Sequence, residues 1–227
     1  MFISIEPVTF FFDLTDKFSQ HIYSFGNVSY EYLDNIRTFE KQLAKKAGVE
    51  RFIYSSSCST YGVNDDIVDE NSELSPITAY AKSKVDSEME LLKMKDENFH
   101  PVILRNATAY GYSPSLRLDI VVNNLTASAY STGSVKLLSD GTSWRPLIHV
   151  EDMSKAFMMC LDAEISKISG EVFNVGSNSE NYTVKQIAKT VNDIIPNSKI
   201  EFAEDASKDA HSYKVNFETF IRSIESL

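Results

Sequence analysis

Tyr80 and Lys84 stand four residues apart in the stretch TAYAKSK, in what reads as the opening turns of a helix. Residues i and i+4 share a helix face, so phenol and ammonium point into the same space. A neighbouring ammonium favours phenolate over phenol and draws the tyrosine below its ordinary pKa of about 10. That makes Tyr80 a candidate general acid and base, against the plainer reading in which Tyr80 packs and Lys84 is solvated. Upstream, RFIYSSSCSTYG reads as a strand running into a hydroxyl-rich turn that closes at Tyr61 and Gly62. Ligands of open α/β sheets bind at the carboxyl ends of the strands, where such a turn sits. A serine hydroxyl there can hydrogen-bond a substrate oxygen and pass a proton toward Tyr80; the alternative is a turn that satisfies its own backbone.

The elements that must position these groups follow from periodicity. The stretch YEYLDNIRTFEKQLAKKAG carries Leu33, Ile36, Leu43, Ala44 and Ala47 on one helical face and stops at Gly48. RFIYSS reads as a short buried strand. Ser75 and Pro76 open the Tyr80 helix as cap and first helical residue, and Ala81, Val85, Met89 and Leu92 form its apolar stripe. PVILRNA is a strand, LDIVVNNLTASAYSTG a helix ended by Gly133, and VKLLS and PLIHV are strands around the turn SDGTSW. Glu151 and Asp152 begin the helix EDMSKAFMMCLDA, where their charge suits the N-terminal dipole. EVFNVGS is a strand, TVKQIAKTVNDII a helix with a capping box at Thr183 and Gln186, and KIEFAE a last strand. Strands alternating with helices indicate an α/β fold with a mainly parallel sheet.

The chain has 227 residues, 43% of them hydrophobic and 24% charged, an ordinary globular composition. Its net charge of -10 argues against a nucleic-acid binder, which concentrates Lys and Arg on one face. Cys58 and Cys160 have no metal-ligand spacing and read as reduced thiols of a cytoplasmic protein; His21 and His100 are scattered and suggest no metal site. The apolar start MFISIEPVTFFFDL is short and carries Glu6 and Asp13, so it reads as neither a secretory signal nor a membrane span.

Taken in order, SSSCSTYG, TAYAKSK, LRNATAYG, SDGTSWRPLIHVED and FNVG resemble the extended short-chain dehydrogenase/reductase family, in its NAD-dependent nucleotide-sugar epimerase and dehydratase branch. The resemblance runs from about Tyr30 to Phe217. It implies a Rossmann-type doubly wound parallel sheet with a smaller α/β substrate-binding region. Residues 30–112 would form a partial NAD-binding domain and 113–227 a substrate region interleaved with it, after an atypical segment 1–29. By the same resemblance Ser57 hydrogen-bonds the sugar hydroxyl, Tyr80 is the base, and Lys84 binds the nicotinamide ribose and depresses the tyrosine pKa. Ser55, Ser56 and Ala107 would lie along the cofactor and Thr108 along the substrate. Asn123, Asn124 and Arg145 would hold the diphosphate of a nucleotide-diphosphate sugar, with His211 near a place where relatives often have a second arginine. His149 and Asp152 would shape the strand-to-helix turn. A homodimer would form through the helices at about 30–47 and 76–95.

The family opens with a strand, a glycine-rich turn and a helix that hold the NAD pyrophosphate. The glycines here stand at 26, 48, 62, 111, 133, 141, 170 and 176, none close enough to another to form that turn. The expectation is therefore an incomplete sheet, shortened at both ends of the chain, with an exposed edge. Two functional readings result: an NAD-dependent nucleotide-sugar epimerase or dehydratase, and a catalytically silent truncated homologue that binds nucleotide sugar or self-associates.

Overall fold

The computed structural model describes residues 2–5, 8–11, 40–207, 209 and 212–224. Its main sheet has five strands: β1 (Phe2–Ile5), β2 (Val8–Phe11), β3 (Arg51–Ser57), β5 (His100–Asn106) and β9 (Val172–Val175), side by side in that order. β2, β3, β5 and β9 run parallel to one another, and β1 is antiparallel to β2. The β3–β5 register runs from Arg51 opposite His100 to Ser57 opposite Asn106, and Asn106 in turn faces Val175. The carboxyl ends of three strands are therefore level.

Smaller sheets flank it. β4 (Ile67–Val68) pairs with β12 (Lys214–Val215), β7 (Ser134–Ser139) with β11 (Lys199–Ser207), and β8 (Trp144–His149) lies between β6 (Thr108–Tyr110) and β10 (Asn181–Thr183). The helices are α1 (40–46), α2 (Ala79–Met94), α3 (Val121–Thr132), α4 (Val150–Asp162), α5 (Ile165–Ile168), α6 (Val184–Ile194) and α7 (Glu218–Ile224). No helix among the described residues is long and apolar enough to cross a membrane.

Strand alternation sorts the core. Phe52, Tyr54 and Ile103 face α1 and α2, packing with Ala44, Leu91 and Phe99. Ile53, Val102 and Leu104 face the other way, toward Ala156 and Cys160 of α4 and toward Phe217 and Phe220. Covering a parallel sheet on both faces is what makes its strands continuous apolar runs. A separate core joins Leu125 and Ala129 of α3, Val135 and Leu137 of β7, Leu147 of β8, and Ile187 and Ala188 of α6.

One expectation needs correction. Ser75 and Pro76 do not open the Tyr80 helix: Thr78 is the cap, its Oγ1 accepting from Ala81 N at 3.0 Å, and the helix starts at Ala79. Ser75 is drawn onto the serine turn instead. Its N–H donates to Thr60 O at 3.1 Å, and a Cβ on Gly62 (φ +70°) would lie 1.9 Å from Ser75 O. Among the described residues the edge of the sheet on that side falls at β1, which pairs only with β2, and β2 in turn pairs with β3. The rest of segment 1–29, and the start of the helix expected from Tyr30, lie outside the described residues. By contrast, the capping box at Thr183 and Gln186 is present, with both hydrogen bonds formed. His149 caps α4, its Nδ1 accepting from Glu151 N at 3.3 Å, while Asp152 pairs with Lys155 at 2.7 Å.

Candidate active site

β3 delivers three consecutive serines to the carboxyl end of the sheet, and alternation gives them different surroundings. Ser56 turns with Phe52 and Tyr54 toward α2 and donates to Glu88 Oε1, so its side chain is spent inside the core. Ser55 turns the other way and accepts from Asn106 Nδ2 at 3.1 Å. Ser57 ends the strand and caps a 3-10 turn, Cys58–Tyr61, accepting from Ser59 N at 3.1 Å.

Tyr80 lies in the first turn of α2 and is 40% exposed, while Lys84, one turn on, is 1% exposed. A buried ammonium needs compensation. Lys84 Nζ finds it by donating to Ser55 O at 2.9 Å and by lying 5.4 Å from the Tyr80 ring centroid and 5.1 Å from that of Tyr54. α2 packs against β3 and the 3-10 turn. One cation thus ties the exposed phenol to the end of β3, where Ser57 stands.

Beneath this pair lies a charged cluster that sequence reasoning missed. Glu88 follows Lys84 by one more helical turn and is 2% exposed. Arg105 of β5 grips it, Nη2 to Oε2 at 2.7 Å and Nε to both carboxylate oxygens at 3.2 Å. Arg105 Nη1 donates to Tyr61 Oη at 3.0 Å, and Tyr61 donates to Asn174 Oδ1 of β9 at 2.7 Å. Burial opposes the charge on Arg105, but the Glu88 hydrogen bonds and charge outweigh it and hold the guanidinium pKa above its ordinary range. Burial also pushes up the Cys58 and Tyr61 pKa values. The available signal was Glu88 itself, on the Tyr80–Lys84 face at another spacing of four.

The other expected residues divide. Ala107 is 4% exposed and donates its N–H to Val175 O at 2.9 Å, and Thr108 stands half-buried opposite Leu147. Asn123 bridges a loop, Oδ1 accepting from Gly111 N at 3.1 Å and Nδ2 donating to Arg117 O at 2.9 Å. Asn124 Nδ2 donates to Leu118 O at 2.9 Å. Arg145 donates to Trp144 O at 2.8 Å and forms an ion pair with Asp209 at 2.5 Å. His211 lies outside the described residues. No group of three or more His, Cys, Asp or Glu side chains among the described residues could hold a metal ion.

The residues fit the nicotinamide half of a dinucleotide. Lys84 brings an ammonium to the strand ends, and Asn106, 5% exposed beside Ser57, keeps a buried Oδ1 without a partner. Among the described residues no glycine-rich strand-to-helix turn offers amides to a pyrophosphate.

Comparison with known proteins gives a family and a fold. The family model described as NAD dependent epimerase/dehydratase family matches residues 41–176. An uncharacterised UDP-glucose epimerase, YtcB, of Bacillus subtilis (strain 168) is 27% identical over 75% of this chain and 54% of its own length. The dTDP-D-glucose 4,6-dehydratase of Mus musculus is 29% identical over 70% of this chain and 43% of its own. The chain thus spans about half the length of these curated relatives. Among solved structures, MoeE5 in complex with UDP-glucuronic acid and NAD superposes with a TM-score of 0.73 at 24% identity, covering 83% of this chain and 63% of that one. UDP-glucuronic acid 4-epimerase from Bacillus cereus, with UDP-glucuronic acid and NAD, gives 0.73 at 21%, covering 84% and 60%. At such identities the likeness establishes the fold, a Rossmann-type α/β architecture.

Proposed function

The chain belongs to the NAD dependent epimerase/dehydratase family, and from that premise we propose that it binds NAD and a nucleotide-diphosphate sugar and acts by hydride exchange at a sugar carbon bearing a hydroxyl. The observation that carries this reading is the buried Lys84 ammonium, fixed on Ser55 O and held beside the exposed Tyr80 ring. NAD, when bound, supplies the hydride acceptor that lets a carbinol carbon become a carbonyl, and the hydride donor for the reverse step.

Everything else falls to the chain's own residues. The Tyr80 phenolate takes the proton of the sugar hydroxyl, Ser57 hydrogen-bonds the same oxygen, and the Lys84 charge stabilises the phenolate and meets the nicotinamide ribose. Ser55, through its carbonyl, and Ala107, through its place beside Val175, would line the cofactor, while Ser56 would contribute backbone alone. Thr108, Asn123 and Asn124 would border the sugar nucleotide. Arg145 would exchange Asp209 for the diphosphate, a partner suited to a planar fork, and His211 would assist. The ordered geometry around Tyr80 favours this enzyme over a silent homologue.

Two further features support its setting. Leu43 and Met89 are 46% and 53% exposed on α1 and α2, an apolar face suited to a homodimer. Cys58 and Cys160 are free and buried, which suits the reducing cytoplasm.

Calorimetric titration with NAD and NADH, with Lys84→Ala as control, tests cofactor binding. Proton NMR of UDP-glucose and dTDP-glucose incubated with the NAD-loaded protein tests turnover. Binding lost in the variant, with conversion of one sugar nucleotide, is expected; no binding by the unaltered chain would refute the reading.

A further inference from the structure

We infer that Asn106 is the acceptor for the carboxamide N–H of the nicotinamide, an assignment that rests on the NAD binding proposed above. Asn106 closes β5 directly opposite Ser57 in the ladder, so the two side chains share a face of the sheet. The two hydrogens of its amide nitrogen are shared among three acceptors: Ser55 Oγ at 3.1 Å, Ser56 O at 3.3 Å and Leu104 O at 3.2 Å. Two of those partners are carbonyls, which only accept, so turning the amide over would set oxygen against oxygen. The orientation is thereby fixed, and Oδ1 is left buried with no donor.

Folded proteins hold few such atoms, because an unmet buried acceptor forfeits its solvation for nothing. A ligand that brings a donor recovers the loss. Ser55 says which end of the ligand that is. Its hydroxyl receives the Asn106 amide while its carbonyl receives the Lys84 ammonium, so one residue links the orphan oxygen to the lysine proposed to meet the nicotinamide ribose. The group attached to that ribose is the nicotinamide ring, and the carboxamide is its one N–H donor. Asn106 would thus read the amide, fix the ring's rotation about its glycosidic bond, and select which ring face meets the sugar.

The test uses NAD beside 3-acetylpyridine adenine dinucleotide, which keeps the ring and carbonyl but carries methyl in place of the amide nitrogen. Calorimetry on the unaltered chain should find NAD bound about tenfold more tightly. Asn106→Leu should bring the ratio close to one by weakening NAD while leaving the analogue nearly unchanged, with thermal unfolding reporting that the variant is folded. Should the variant fail to fold, the ratio in the unaltered chain still decides. Equal affinity there, or a ratio that survives Asn106→Leu, would overturn the assignment with NAD binding intact and leave Oδ1 to a water or a sugar hydroxyl. If neither dinucleotide binds, both this assignment and the proposed function fail.

Discussion

A phenol does proton-transfer work only when its anion is stabilised, and at position 80 that task falls to one ammonium. Tyr80→Phe removes one hydroxyl from a residue that is 40% exposed, so unfolding should be nearly unchanged while turnover falls by about 10²–10⁴ or more. Melting curves and NMR product assays measure the two effects. Lys84→Met removes the charge beside the ring and disfavours phenolate, so the tyrosine pKa rises. The rising limb of kcat/KM against pH should move to higher pH, and an unmoved limb would take the lysine out of the mechanism. Burial raises the Cys58 pKa and pushes Cys160 up to about 12, so neither thiol should be alkylated in the folded protein at mildly alkaline pH, and both should react in denaturant, as mass spectrometry would record. The Tyr80–Lys84 relation was legible because a helix converts a spacing of four into proximity. The Arg145–Asp209 pair was not, because its members are separated by 64 positions and meet only through the fold.

Elements are where local signals were read best and also where they were overruled. The Thr183–Gln186 capping box acts within four residues and was visible; Thr183→Ala should lower stability by about 1 kcal/mol in denaturant titrations. Ser75 and Pro76 carried an equally good start signal and lost to Thr78, because Ser75 hydrogen-bonds the serine turn from a distant part of the chain. The Glu88–Arg105 pair was hidden for a related reason: a charged residue on a helix face reads as solvated until a strand covers it. Glu88→Gln should cost about 3–5 kcal/mol, since it leaves Arg105 buried without its counter-charge, whereas Glu88→Leu with Arg105→Met should cost much less. Equal losses in the two variants would mean that packing, not charge, dominates at this junction between α2 and β5.

The molecule as a whole offers one testable surface. If α1 and α2 pair with a second copy, Leu43→Asp with Met89→Asp should halve the sedimenting mass without lowering helicity; an unchanged mass would remove that face from consideration. Fold class was legible over most of the length because β-α alternation is periodic, whereas the β1–β2 hairpin was not, its aromatic-rich residues showing no clear period. The position of β9 bears on time as well as space. It is made after α3, β7, β8 and α4, yet it lies directly against β5, and its Asn174 receives the hydroxyl of Tyr61. During synthesis the Ser57 and Tyr80 segments therefore leave the ribosome long before the strand that completes their support. Maturation of the site is a late event that waits on a long-range closure. A nascent chain halted before residue 172 should carry both site segments and still lack their final arrangement.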